Sequence, residues 1–424
     1  MTTIHYIPIG YKQTEIGVIP EDWSIVSYGE AFDFLSTASY SRADLSDNAE
    51  IFYVHYGDIH TTWNYFLDFK KSTLPTIEKA KVKNYSFIKN GDLIIADASE
   101  DYAGICKSVE VKNITTNKAI SGLHTFLLRG KEGIFADGFK GYIHSNRLVK
   151  ASMDRLATGL KVYGVSKTNL KTVKIPRPTI PEQTAIATVL YDTCALIESL
   201  KKLIVKKKAI KQGTMQQLLT GKKRLPGFGG KWEIEELGKF VEVKDGTHQT
   251  PKYFDNGIPF YSVENITNND FINTKYISET VHKLLTKKFK IEKMDILMTR
   301  IGSIGDSKLI TWNPKASFYV SLALLKPKNK LHAPYIYHFS KTTVFRKELE
   351  DRSLQWAVPK KINLGEISKV KICIPKEVDE QTAIATILSD MDSEIESLEK
   401  ERNKYIMLKQ GMMQELLTGK IRLI

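Results

Sequence analysis

The sequence predicts an α+β protein built as a tandem duplication. Two diverged domains alternate with two long helices, which pair as an antiparallel coiled coil with pseudo-twofold symmetry. Two observations predict this. Glu182–Leu190 (EQTAIATVL) returns as Glu380–Leu388 (EQTAIATIL), and Lys211–Leu225 (KQGTMQQLLTGKKRL) returns as Lys409–Leu423 (KQGMMQELLTGKIRL), both at an offset of 198 residues (380 − 182 and 409 − 211). Outside these stretches the chain is short apolar runs broken by Gly, Asn, Asp and Pro, the pattern of strands and turns.

Each repeated stretch has a helical period. In the first, Ile186, Leu190, Ile197, Leu200, Ile204 and Ile210 form an apolar stripe; in the second, Ile384, Leu388, Met391, Ile395, Leu398 and Leu408 do. No proline interrupts either run, and each stops at Thr-Gly-Lys, where glycine suits a helix C-terminus. Roughly 36 residues at 1.5 Å each make a rod of roughly 54 Å, and so narrow a stripe on so long a helix argues for a coiled-coil seam. Lys201, Lys202, Lys206, Lys207, Lys208 and Lys211 crowd the second half of the first helix. Asp390, Asp392, Glu394, Glu396, Glu399 and Glu401 crowd the first half of the second. Antiparallel pairing brings these halves together; the alternative is that both sets only solvate an exposed face.

A chain of 424 residues has room for two ordinary domains and their connectors. The expected boundaries are 1–180 for the first domain with its N-terminal arm, 181–222 for the central helix, 223–378 for the second domain and 379–424 for the C-terminal helix. Lys and Arg exceed Asp and Glu by 62 to 48, a net +14 spread along the chain, which favours a polyanion such as nucleic acid as partner. Three cysteines, far apart and without a C-x-x-C, argue against a disulfide framework or a metal site and fit a reducing cytoplasm. The start, MTTIHYIPIGYK, lacks the pattern of a signal peptide, and no apolar run approaches the ~20 residues that span a bilayer. The expected location is cytoplasmic.

Taken in order, the arm (1–22) ends in Ile19-Pro20-Glu21-Asp22 and leads into Trp23-Ser24-Ile25, with Gly29 six residues after the tryptophan. Trp232-Glu233-Ile234 and Gly238 repeat that spacing. Ile51–Ile59 resembles Ile258–Ile266, Gly91-Asp92-Leu93 resembles Met294-Asp295-Ile296, and HTFLLR (124–129) resembles SLALLK (321–326). Each domain leaves through a proline-bearing link, Val173–Pro176 or Val370–Pro375. The duplication therefore includes the domains, although they have drifted while the helices have not.

Several enzyme-like motifs fail. Gly227-Phe-Gly-Gly230 has no strand before it. Asn313-Pro314-Lys315 lacks the second proline and the aromatic of an amino-methyltransferase motif. Thr220-Gly-Lys222 and Thr418-Gly-Lys420 lack the phosphate-loop glycine, with Gln216 and Gln414 in its place. No carboxylate and lysine set suggests a nuclease centre, so no catalytic residue is expected here.

Recognition loops are better supported. Lys244-Asp-Gly-Thr-His-Gln-Thr-Pro251 gathers donors and acceptors around a glycine and a proline. Lys244, Thr247, His248, Gln249, Thr250 and Lys252 are its candidate DNA contacts, against a plain polar turn as the alternative. In Arg300-Ile-Gly-Ser-Ile-Gly305, Arg300 and Ser303 suit phosphate or guanine, and an ordinary surface arginine is the alternative. Matching places in the first domain offer Ser39, Tyr40 and Arg42, then Ser99 and Tyr102 in a stretch that is acidic where the other is basic, which fits either a distinct target or a loop with no DNA role. Trp356 and Tyr163, near the domain ends, are expected in the core, with base stacking as the alternative.

These motifs together (I-P-E-D-W, Pro181-Glu182-Gln183, LLTGK twice, Pro-Gly-Phe before Trp232, DGTH-x-TP and R-x-G-S-x-G) resemble the specificity subunit of type I restriction–modification systems over essentially the whole chain. Asp379 departs from the proline of the motif in the second copy. The resemblance implies two target recognition domains, each reading one half of a split, asymmetric site on double-stranded DNA. It implies that the helices set the spacing and carry two modification (methyltransferase) subunits, which restriction (translocase and nuclease) subunits join. No cofactor is expected in this chain; S-adenosylmethionine, ATP and Mg²⁺ belong to the partners. A single-chain DNA methyltransferase or nuclease, and a structural coiled-coil protein without a DNA role, are the readings it competes with.

Overall fold

A computed structural model describes residues 7–82, 84–115, 118–159 and 161–423, so residues 1–6 of the arm, where the leader reading begins, lie outside it. The chain forms two compact units, residues 1–200 with 401–424 and residues 201–400. Both repeated stretches are helical, Ile180–Leu218 and Val378–Leu416, 39 residues each. Each unit therefore holds the start of one long helix and the end of the other.

In the first unit, a five-stranded sheet runs in the order Phe32–Leu35, Thr125–Gly130, Leu93–Ala96, Ser108–Lys112, Phe66–Asp68. A three-stranded sheet of Ala119–Ser121, Ile51–Val54 and Thr76–Ile77 accompanies it. The second unit repeats the plan with a four-stranded sheet, Val241–Asp245, Leu322–Pro327, Ile296–Thr299 and Ser307–Leu309, and a three-stranded one centred on Ile258–Tyr261.

The faint sequence repeats acquire a cause. Asp92 is buried and accepts from Arg129 Nε and Nη2 at 2.9 and 2.7 Å; Asp295 is buried and accepts from Lys326 Nζ at 2.7 Å. The acid of Gly-Asp-Leu or Met-Asp-Ile is thus the counter-ion of the last residue in HTFLLR or SLALLK. A buried carboxylate left without its cation is costly, so the two positions stay charged together. Both domains also close their own ends. Ser24–Ser27 pairs antiparallel with Lys174–Arg177, and Glu233–Glu236 with Lys371–Ile374.

Packing within each unit runs the two helices antiparallel. Ile186, Ala187 and Leu190 share a core with Met413, Leu416 and Leu417 in the first unit. In the second, Ile384, Ala385 and Leu388 share one with Met215, Leu218 and Leu219. Farther along the stripes Ile197, Leu200, Ile204 and Ile395 are buried, Met391 packs partly against the second core, and Leu398 is half-buried. Two stripe positions depart from expectation: Ile210 and Leu408 are 44% and 48% exposed. Seven residues beyond Ile204, two helical turns on, stands Lys211 rather than Ile210, and it is Lys211 that is buried. Its ammonium meets Asp392, while Lys207 pairs with Glu394 and Lys208 with Glu399, both at 2.6 Å.

The repeated helix ends are equally specific. Gly221 and Gly419 both take left-handed backbone, φ 70° and 73°, after the last turn. A Cβ on Gly419 would also lie 2.5 Å from Pro20, and one on Gly221 3.3 Å from the Trp232 ring. Just beyond them, Arg224 and Arg422 reach back to Glu380 and Glu182, the glutamates that open the opposite helix. Gln183 holds Ala136 N–H and the Ile134 and Pro178 carbonyls, and Gln381 holds the Pro375 carbonyl and His332.

Candidate nucleic-acid interface

Strand order decides what the second-domain loops do. Val241–Asp245 and Ile296–Thr299 flank the same strand, Leu322–Pro327, so Asp245 and Arg300 emerge on either side of its first residues. There they meet. Arg300 Nη2 donates to both Asp245 oxygens at 2.9 and 3.1 Å, and Nη1 donates to the Ile362 carbonyl at 3.2 Å. Arg300 is only 7% exposed. The side chain expected to reach phosphate or guanine is thus turned inward, because a buried guanidinium is held where its carboxylate sits. Asp245 Oδ2 also meets His248 Nε2 at 2.7 Å, so one carboxylate organises both motifs.

Above this pair the DGTH loop is pinned by backbone. Thr247 N–H donates to the Phe318 carbonyl at 3.2 Å, and Val320 N–H donates to the Thr247 carbonyl at 3.0 Å. A Cβ on Gly246 would lie 2.5 Å from the Tyr319 backbone, so only glycine fits this approach. His248, Gln249, Thr250 and Lys252 are left exposed, with Thr250 Oγ1 3.2 Å from the Tyr319 hydroxyl. Thr247 bonds the Gln249 carbonyl, Lys244 is half-buried and paired with Glu242 at 2.8 Å, and exposed Ser303 donates to Asp306. A cleft of about 330 Å³ adjoins the loop, lined by Asp245, Thr247, Phe318 and the basic residues Lys287, Lys288 and Lys290.

The first domain places different chemistry at the matching positions. Asp97 N–H donates to the His124 carbonyl at 3.1 Å, as Arg300 N–H does to that of Ser321 at 2.9 Å. Where Arg300 stands there is therefore an acid, its carboxyl pushed up by burial and 3.2 Å from His124 Nδ1. Ser99, a candidate contact, is buried beside it and accepts from Asp101 N–H, so its hydroxyl does not face solvent. Tyr102 is half exposed, bonded to the Asp154 carbonyl and edge-on to half-buried Tyr163 at 5.2 Å. Ser39 and Arg42 are exposed, Arg42 paired with Asp58 at 2.5 Å, and Tyr40 donates to the Lys81 carbonyl.

The His124 ring lies 5.4 Å from that of Tyr56, with His60 beyond it, a cluster that no sequence motif marks. His124 is the first residue of HTFLLR, the repeat that places it beside Asp97. Trp356, expected in the core, is 97% exposed. Among the described residues no group of His, Cys, Asp or Glu is arranged to hold a metal ion, and no helix is long and apolar enough to cross a membrane.

Two copies of one α+β plan, each packed on repeated helices and each presenting polar loops at the end of one central strand, define a duplicated recognition scaffold. Residues 229–407 match the type I restriction modification DNA specificity domain. The chain is 26% identical over 97% of its length to the putative type I restriction enzyme MjaX specificity subunit of Methanocaldococcus jannaschii, covering 96% of that protein. It is 23% identical to the MjaVIII specificity subunit of the same organism, with 95% of this chain and 94% of the relative covered. Its fold resembles the crystal structure of a type I restriction-modification S subunit from M. genitalium, with TM-score 0.59 and 15% identity over 93% of this chain and 96% of that one. It also resembles a chain from a structural study of complex assembly in the type I R-M system, with TM-score 0.53 and 17% identity over 95% and 99%. Over nearly its whole length the chain is thus similar to type I restriction enzyme specificity subunits, and residues 229–407 carry their DNA specificity domain.

Proposed function

We propose that this chain reads a bipartite, asymmetric site on double-stranded DNA, one half through each domain (1–180 and 223–378), as the non-catalytic specificity subunit of a type I complex. The observation that supports it is the contrast at one structural position. Both domains keep the same buried frame, Asp92 with Arg129 and Asp295 with Lys326, yet one carries Asp97 and His124 where the other carries Arg300. A shared frame with exchanged loop chemistry suits two different base sequences. Exposed His248, Gln249 and Thr250 reach base edges, while Lys252 and the lysines of the adjoining cleft meet phosphate and set affinity and register.

The helices at 181–222 and 379–424 supply the docking frame for two modification subunits, which restriction subunits then join in the cytoplasm. Methyl transfer from S-adenosylmethionine to an adenine taken out of the stack belongs to the modification subunits, and ATP and Mg²⁺ serve the restriction subunits. The role of this chain is to hold the DNA in place for that chemistry. The test is to express it with its modification subunits in a methylation-free host and map the methylated adenines. A split motif, of which replacing residues 247–250 changes one half only, is the expected result. An unsplit motif would overturn the bipartite reading, and methylation by this chain alone would restore the single-chain enzyme.

A further inference from the structure

Beside the Arg300 loop the second domain carries a feature that the recognition motifs leave unused. Trp356 and Val358 are 97% and 99% exposed at the tip of the segment from Leu354 to Lys361. An indole left almost wholly in water forgoes the burial that large aromatic side chains ordinarily gain. The tip is nevertheless held from below. Leu354 N–H donates to the Lys361 carbonyl at 2.8 Å, Ala357 N–H to that of Leu354, and Gln355 Nε2 to that of Glu350 at 2.7 Å.

Its base is tied to the R-x-G-S-x-G motif. Gly302 N–H donates to the Lys360 carbonyl at 2.8 Å, and Ile362 N–H to the Arg300 carbonyl at 3.0 Å. Lys360 pairs with Glu350, and Lys361 is exposed. The first domain repeats the arrangement. Val165 N–H donates to the Asp97 carbonyl at 3.0 Å, as Ile362 does to Arg300, and the segment leading to it carries exposed Lys161 and Val162. An exposed apolar tip with neighbouring lysines therefore stands next to the candidate reading loop in both domains.

We propose that the Trp356–Val358 tip is an apolar wedge that enters the base stack of the half-site read by the second domain. This inference rests on the DNA-recognition reading above. Aromatic and aliphatic side chains unstack base steps in this way when cationic neighbours hold the flanking phosphates. Exposed Lys361, at the base of the tip and bonded to the Arg300 loop, supplies the charge that meets a flanking phosphate.

The test uses the full chain assembled with its modification subunits, and a duplex that the wild-type assembly recovers from a randomised pool. 2-Aminopurine replaces each adenine of the second-domain half-site in turn. Besides the adenine that the modification subunits take out of the stack, the wild type should raise its fluorescence at one further position. Trp356→Ala should abolish that rise and bind about 10- to 100-fold more weakly at equal salt, while Trp356→Phe stays within about threefold of wild type. Wild-type affinity and fluorescence for Trp356→Ala would overturn the wedge and leave the recognition reading intact. Loss of modification-subunit binding, with DNA binding by the chain alone unchanged, would make the tip a protein-docking surface and also overturn it. If the wild-type assembly recovers no duplex, the recognition reading falls, and the wedge with it.

Discussion

Arg422 and Glu182 lie 240 residues apart and close on each other through two hydrogen bonds, Nε to Oε1 at 2.7 Å and Nη2 to Oε2 at 2.8 Å. Arg224 and Glu380, the same positions in the other copy, close at 2.6 and 2.7 Å. The glutamate that opens one helix is therefore the counter-ion of the arginine just past the end of the other. This explains why EQTAIAT and TGKxRL recur together. Antiparallel pairing makes each the partner of the other copy's motif, so neither can drift alone.

Arg422→Ala would leave the Glu182 carboxylate, 2% exposed, with only the Trp23 indole N–H at 2.8 Å. Because Arg422 is itself partly exposed, a loss near the low end for broken buried pairs is expected, about 3 kcal/mol. Adding Glu182→Gln, which removes the stranded charge and keeps an acceptor for the Trp23 indole N–H, should recover part of it. Urea unfolding of the full chain measures this, and a midpoint shared by wild type and Arg422→Ala would show that the pair contributes nothing.

The helix charges form a weaker device. Lys207 with Glu394 and Lys208 with Glu399 are partly exposed pairs, worth at most about 1 kcal/mol each and weakened by salt. Lys207→Glu with Lys208→Glu should destabilise the chain, and adding Glu394→Lys with Glu399→Lys should restore part of the loss. A double-mutant cycle at low and at high salt reads the coupling. No restoration would mean that these charges only solvate the helices.

Acid should weaken the chain through its buried histidines. Burial lowers the His338 pKa to about 4 and that of His144 to about 3. His338 faces Lys211, Asp392 and Lys341 and meets Ser389 through Nε2 at 3.0 Å. A histidine whose folded pKa lies below its unfolded value of about 6.5 binds protons preferentially when unfolded. Its contribution is complete above about pH 6.5 and is lost as pH falls toward 4, by about 3 kcal/mol at most for His338. His338→Gln should flatten the stability profile over that interval. Urea midpoints at stepped pH check this, and an unchanged slope would place the proton uptake elsewhere.

Arg300 and His248 should separate by what they damage. Arg300→Ala removes the cation that organises Asp245, so both stability and second-half reading should fall, the former by about 3 kcal/mol. His248→Ala acts on an exposed side chain, so stability should change by less than about 0.5 kcal/mol. Its DNA binding should weaken by about 1–3 kcal/mol with relaxed choice in one half only. Paired melting and site-selection measurements distinguish the two. Arg300→Ala that melts like wild type yet loses one base preference would restore Arg300 as a direct contact.

By itself the sequence determined the duplication, the two long helices and their antiparallel sense. Those features are written in local periodicity, in near-identical repeats and in the placing of Lys201–Lys211 against Asp390–Glu401. The DGTH loop was legible for the same reason, since turn residues announce themselves locally. Only the tertiary structure decided which side chains face water. Arg300 is buried because the strand order brings Asp245 to the far side of Leu322–Pro327, and Lys211 displaces Ile210 from the seam because two full turns separate it from Ile204. Ser99 is covered and Trp356 is bare for reasons of the same kind. Burial depends on what packs against a residue from distant parts of the chain, and neither residue type nor local spacing encodes that neighbour.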